Sequence, residues 1–156
     1  MSRFSHLVEI NDLLNPLLDA LTREQLWQGL VRRAEDPVPF VIGLDACRIV
    51  GREHQSLLRE LHFGSLVVRD RVIFAPLQSV RYDVEAGDNF PASTLVMRIE
   101  EPQPGHLFVR FEYFDQRPAP NGEDAEALRV LHSAYEAADI DTIRGIRRLF
   151  VESKLN

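Results

Sequence analysis

The sequence predicts an α+β fold: a curved antiparallel sheet of about six or seven strands wrapped on one long C-terminal helix, with one or two short helices after the first strand. Three observations carry this expectation. A short helical pattern follows a single β-prone segment, a train of short β-prone runs occupies the middle of the chain, and the period turns helical again from Gly122 onward.

Ser5 to Ile10 is β-prone and Asn11-Asp12 breaks it, so a first strand is expected at about 4–11. Leu13 to Ala20 contains Asn15-Pro16, which favours a turn or a short helical start. Thr22-Arg23-Glu24-Gln25 has the capping-box pattern, in which the hydroxyl accepts from the Gln25 amide and the Gln25 side chain reaches back. A helix should therefore run from Arg23 to about Ala34, burying Leu26, Trp27, Leu30 and Val31, and stop at Asp36-Pro37 because proline disfavours helical geometry in the residue before it. A very short second helix or a turn is expected over Pro39 to Ile42.

Gly51-Arg52-Glu53, Gly64-Ser65, Pro76, Gly87-Asp88-Asn89 and Pro102-Gln103-Pro104-Gly105 then punctuate a meander. Within it Val80, Tyr82 and Val84 share one face against Ser79, Arg81, Asp83 and Glu85. Leu95, Met97 and Ile99 repeat the alternation, as do Leu107, Val109, Phe111 and Tyr113, so three consecutive strands line one apolar surface. A loop at Gln116 to Asn121 leads into the last helix, where Leu128, Leu131, Tyr135, Ala138, Ile146 and Leu149 form a stripe. Glu123, Asp124 and Glu126 suit the first turn of that helix, and Arg144, Arg147, Arg148 and Lys154 its far end, because both sets complement the helix dipole. The alternative for these late cations, an anion-binding patch, is the less economical reading.

The 156 residues suit a single domain spanning 1–156, with no linker or repeat to divide it. Cys47 is the only cysteine, which excludes an intramolecular disulfide, and the N-terminus lacks the apolar stretch of a signal peptide. A cytoplasmic location is expected. Val38 to Leu44, interrupted by Pro39 and Gly43, is too short to span a bilayer. A net charge of −6 argues against nucleic acid as a partner.

This order of elements is the helix-grip plan, and the chain resembles the START-like (SRPBCC) superfamily, in particular its AtaL-like branch. The resemblance rests on Leu21-Thr22-Arg23-Glu24-Gln25-Leu26-Trp27-Gln28-Gly29-Leu30, Asp36-Pro37-Val38-Pro39-Phe40, Arg59-Glu60-Leu61-His62-Phe63-Gly64 and the segment from Ala134 to Leu155. It implies a site for hydrophobic ligands between sheet and helix, where some members of the superfamily also catalyse cyclisation or hydrolysis.

Phosphate-loop, HExxH and paired CxxC signatures are missing, so neither a cofactor nor a metal is expected. His54 and His62 lack an evident third ligand, His6, His106 and His132 are dispersed, and a Ser79-His62-Asp83 triad has no support from spacing. Arg59 shares strand parity with Leu57, Leu61 and Phe63, which aims it at the apolar side. There it either orients a ligand's carboxylate or carbonyl, or pairs with an acid such as Asp70 or snorkels to the rim; the alternative is that Glu60 and His62 mark the inward face. Tyr82, Tyr113 and Tyr135 are the natural polar handles of a pocket, with Met97 and Phe111 beside them; the alternative is that these side chains and Trp27 fill the core.

The expected function is binding or carriage of an apolar small molecule, lipid or polyketide-like, between the sheet and the C-terminal helix. Two other classes compete with it. One is a cyclase, aromatase or dehydratase acting in the same cavity, where Arg59 and tyrosines polarise a carbonyl while a histidine or carboxylate moves a proton. The other is an interaction module, such as a homodimer, using a sheet edge or the face bearing Val96 and Phe108.

Overall fold

The computed structural model describes residues 2–115 and 123–155, with side chains for 3–115 and 125–151. The loop expected at 116–121 and the side chains of Glu123, Asp124 and Lys154 lie outside the described residues. The chain runs β1 (Ser2–Glu9), α1 (Arg23–Glu35), β2 (Ala46–Glu53), β3 (Ser56–Phe63), β4 (Leu66–Ala75), β5 (Ser79–Val84), β6 (Ser93–Gln103), β7 (His106–Asp115) and α2 (Glu123–Leu155). The strands form a seven-stranded antiparallel sheet in the order β1-β7-β6-β5-β4-β3-β2. β2 to β7 are thus a sequential meander, and β1 closes onto β7.

α1 starts where the capping box places it. Gln25 donates its amide to Thr22 Oγ1 at 3.1 Å, and the Thr22 amide donates to Gln25 Oε1 at 2.9 Å. Asp36 caps the other end through its amide to the Arg32 carbonyl. Segments 13–20 and 38–43 are turns, so the helices among the described residues are α1 and α2, and one helix rather than two separates β1 from the meander.

The buried face of α1 is Leu26, Gly29, Leu30 and Ala34, whereas Trp27 and Val31 are half-buried. Gly29 belongs there because α1 crosses α2 closely: a Cβ on residue 29 would lie 2.3 Å from Cγ2 of Ile146. Asn11, read from sequence as a strand breaker, is a buried clamp. It donates to the carbonyls of Leu21 (2.9 Å) and Gly105 (2.8 Å) and accepts from the Leu21 amide (2.9 Å), tying the β1–α1 loop to the β6–β7 turn.

The inner sheet face presents the alternate residues expected of β5, β6 and β7, with Val80, Tyr82, Met97, Ile99, Leu107, Val109 and Phe111 all buried. The helix stripe needs a correction. Ala138 is exposed, and among the described residues the buried positions of α2 are Asp139, Thr142, Ile143 and Ile146. The stripe therefore passes through two polar residues that an apolar-only count skips. At the sheet edge, β2 carries a bulge between Ile49 and Gly51. On the outer face Val96 and Phe108 are half-buried.

Candidate functional site

A cavity of about 500 Å³ lies beside the inner face of the sheet, with α1, α2 and the turns after α1 contributing to its wall. Its walls are strand residues such as Leu61, Val68, Tyr82 and Leu95, Tyr135 of α2, Arg33 of α1, and Pro37, Val41 and Leu44 from the turns after α1. Phe90, from the β5–β6 loop, completes the lining. Strand alternation explains why these side chains converge, since each wall strand sends every second residue to the same side. Most of the wall is aliphatic or aromatic, with the polar groups gathered around Tyr82.

Arg59 points inward, as its parity requires, and is buried. Its partner is the residue directly opposite on β4, Asp70, reached by Nε at 2.9 Å and Nη2 at 2.6 Å. Nη1 donates to the Ala34 carbonyl at 2.8 Å, which anchors the end of α1 to the sheet. Burial disfavours the charged guanidinium, but the hydrogen bonds and charge of Asp70 outweigh it and hold the group above its usual range. Although Arg59 borders the cavity, its three kinds of nitrogen are engaged by protein acceptors.

Two guanidinium groups lie against the Tyr82 ring, with Cζ of Arg59 at 5.1 Å and Cζ of Arg33 at 5.3 Å from its centroid. Both distances are within cation–π range. The Tyr82 hydroxyl is buried and has no hydrogen-bond partner. Arg33 donates through Nε to Thr142 Oγ1 at 3.1 Å, and among the described residues no carboxylate forms an ion pair with it.

A second polar group sits further along α2. Asp139 is buried and accepts a short hydrogen bond from the Tyr113 hydroxyl, while its other oxygen lies 3.3 Å from Nδ1 of His6. Burial pushes the Asp139 carboxyl up to about 6, against the lowering effect of its hydrogen bonds to Tyr113 and His6. Burial, together with the Asp139 charge, also drives the Tyr113 hydroxyl strongly upward, so it stays a donor. The Tyr113 ring stacks on Tyr135 with centroids 4.0 Å apart and planes at 6°. Both tyrosines line a smaller cavity of about 190 Å³, which shares Val84, Leu95 and Tyr135 with the larger one.

The six site residues expected from sequence therefore separate spatially. Arg59, Tyr82 and Tyr135 border the larger cavity, and Tyr113 borders the smaller. Met97 and Phe111, in register on β6 and β7, are fully buried and belong to the lining of neither. Arg33 and Asp139 were not singled out from sequence, although spacing held a signal for both. Arg33 follows Leu30 by one short turn, and Asp139 lies four residues from both Tyr135 and Ile143 on the apolar stripe. The histidines do not converge: His54 is exposed, His62 contacts Glu60, His106 contacts Glu9, and His132 stacks on Phe4. Among the described residues no group of three acidic, histidine or cysteine side chains is placed to hold a metal ion.

Asp139 makes the fold's pH dependence testable. The folded state holds this proton up to about pH 6, whereas an ordinary aspartate releases it near about 4. The stability this group contributes is therefore full below about pH 4 and falls as pH rises through 6. In urea titrations, Asp139→Asn should lack that decline, gaining roughly 1–3 kcal/mol on the native protein between pH 4 and pH 7. Parallel pH profiles for the two proteins would contradict the assignment.

The sequence matches the model of the family described as AtaL, acetylaranotin biosynthesis cluster protein L, over residues 8–153. No curated protein matches it. Among solved structures it is similar to the di-domain aromatase/cyclase StfQ of the steffimycin biosynthetic pathway, with a TM-score of 0.72 and 10% identity over 98% of this chain. The chain spans about half of StfQ, 52% of its length. It is also similar to the ZhuI aromatase/cyclase from Streptomyces sp. R1128, with a TM-score of 0.60, 13% identity, and 94% of this chain and 91% of that one covered. A third likeness is Ara h 8.0201, with a TM-score of 0.64, 11% identity, and coverage of 97% and 98%. At these identities the structural likenesses establish the helix-grip fold alone.

Proposed function

The chain belongs to the AtaL family, and from that premise we propose that it binds an apolar small molecule, lipid or polyketide-like, between its sheet and its C-terminal helix. The observation that carries this reading is the cavity of about 500 Å³, which the core side chains leave open and whose wall is mainly apolar. Cavities of this size and lining are typical of small-molecule sites. Two proteins of this fold are aromatase/cyclases, which is in keeping with a polyketide-like ligand.

The neutral fluorophore N-phenyl-1-naphthylamine tests the proposal. It should bind saturably at one site with a blue-shifted emission. Val68→Trp, which adds bulk from a half-buried wall position, should weaken binding about tenfold or more by filling the space. Non-saturable emission, or unchanged affinity in Val68→Trp, would count against the site.

A second reading, an enzyme of the cyclase type, is favoured by one arrangement. Asp139, with its carboxyl near 6, can take up or release a proton near neutral pH, and it holds the Tyr113 hydroxyl as a donor beside the smaller cavity. The binding reading is preferred because it needs only the cavity. No helix among the described residues is long and apolar enough to cross a membrane. A cytoplasmic location, and a homodimer formed through the outer face at Val96 and Phe108, complete the proposal.

A further inference from the structure

The cavity wall holds an imbalance of hydrogen-bond donors over acceptors. Two guanidinium groups border it, those of Arg33 and Arg59, and one buried carboxylate, that of Asp70. Asp70 spends both oxygens on Arg59. Arg33 borders the cavity with its Nε bonded to Thr142 and its guanidinium over the Tyr82 ring, and among the described residues it has no carboxylate partner. Asp139 is near enough to feel the Arg33 charge, but among the described residues it forms no ion pair with Arg33 and its oxygens face Tyr113 and His6. The Tyr82 hydroxyl, buried without an acceptor, adds a second unmet donor at the same place.

A neutral hydrocarbon in this cavity would leave both donors unmet. A molecule carrying two oxygens and a negative charge would satisfy them, because charged acceptors make the strongest bonds with guanidinium groups. We infer that the ligand is an apolar carboxylic acid whose head group is held by Arg33, an inference that rests on the cavity-binding reading. Its hydrocarbon part lies against Leu61, Val68 and Leu95, and its carboxylate turns toward α1. The Tyr82 hydroxyl is buried, so the ligand's second oxygen reaches it only where the Arg33 guanidinium leaves the ring for the carboxylate. Arg33 therefore carries the larger share of recognition and Tyr82 the smaller. The role that strand parity suggested for Arg59 passes to an arginine on a different element.

Displacement of bound N-phenyl-1-naphthylamine by two probes of one scaffold, 1-naphthoate and 1-methylnaphthalene, tests this directly. Arg33→Met should weaken 1-naphthoate by about tenfold or more and leave 1-methylnaphthalene within about twofold, since only the charged interaction is lost. Arg33→Lys keeps the charge without the planar fork and should recover part of the loss. Tyr82→Phe should weaken 1-naphthoate by a few fold, again sparing the neutral probe, and should not lower the Tm of the empty protein, because the hydroxyl it removes has no protein partner. Equal effects of Arg33→Met on both probes, or none on either, would overturn the inference while the neutral probe's binding left the cavity reading intact. A marked fall in the Tm of Tyr82→Phe would remove Tyr82 from it. Failure of both probes and the fluorophore to bind the native protein would defeat the cavity reading itself.

Discussion

Replacing Asp70 with Ala should destabilise the protein by about 3–5 kcal/mol, the usual effect of stranding one member of a buried ion pair. The side chains of Arg59 and Asp70 are 3% and 2% exposed, so water cannot take over for the missing carboxylate. Against a typical margin of about 5–15 kcal/mol, the loss brings the native state near its limit, and urea unfolding will measure it. The double variant Arg59→Met, Asp70→Leu removes both charges and should recover most of the loss, because an apolar pair of similar volume incurs no desolvation penalty. A single-variant effect below about 1 kcal/mol would mean that Arg59 finds another acceptor.

Phe111→Ala should have an effect of similar size, about 3–5 kcal/mol, by removing a fully buried ring. Phe111 is opposite Met97 on one side and His6 on the other, both on the inner face of the sheet. Under conditions where this variant remains folded, its affinity for N-phenyl-1-naphthylamine should match the native value. A changed affinity would put Phe111 in the cavity wall. The contrast with Val68→Trp is informative: one change should damage the fold and spare the site, and the other should do the reverse.

These two residues also mark how far sequence reasoning reaches. Alternation identified the inner face of β5, β6 and β7, since a period of two leaves little choice once one side is buried. The same logic oriented Arg59, and Asp70 was the acid named as a partner for it. The period alone could not separate Tyr82, at the cavity, from Met97 and Phe111, in the packed core. That separation depends on where the sheet curves away from α2 and on how the turns carrying Val41, Leu44 and Phe90 fold over the gap. Both are set by long-range packing.

Asp139 and Thr142 were missed for a different reason. A hydrophobic stripe is recognised by its apolar members, and a buried polar residue within it is invisible until its partners, Tyr113, His6 and Arg33, are brought from other elements. Arg33 likewise reads as one charge among several at the end of α1. Its significance depends on Asp70 already being committed to Arg59, a fact of three-dimensional pairing.

The closure of β1 onto β7 bears on how the molecule assembles. Each rung of the meander from β2 to β7 joins strands that are neighbours in sequence, whereas the Arg3–Glu112 contact spans 109 residues. Loop-closure entropy opposes such a pairing until the intervening chain has condensed. Pairing of β1, together with His6, is therefore expected to follow condensation of the meander. During synthesis β1 precedes β7 by about a hundred residues, so its hydrogen-bonding groups are expected to rest on water until β7 follows.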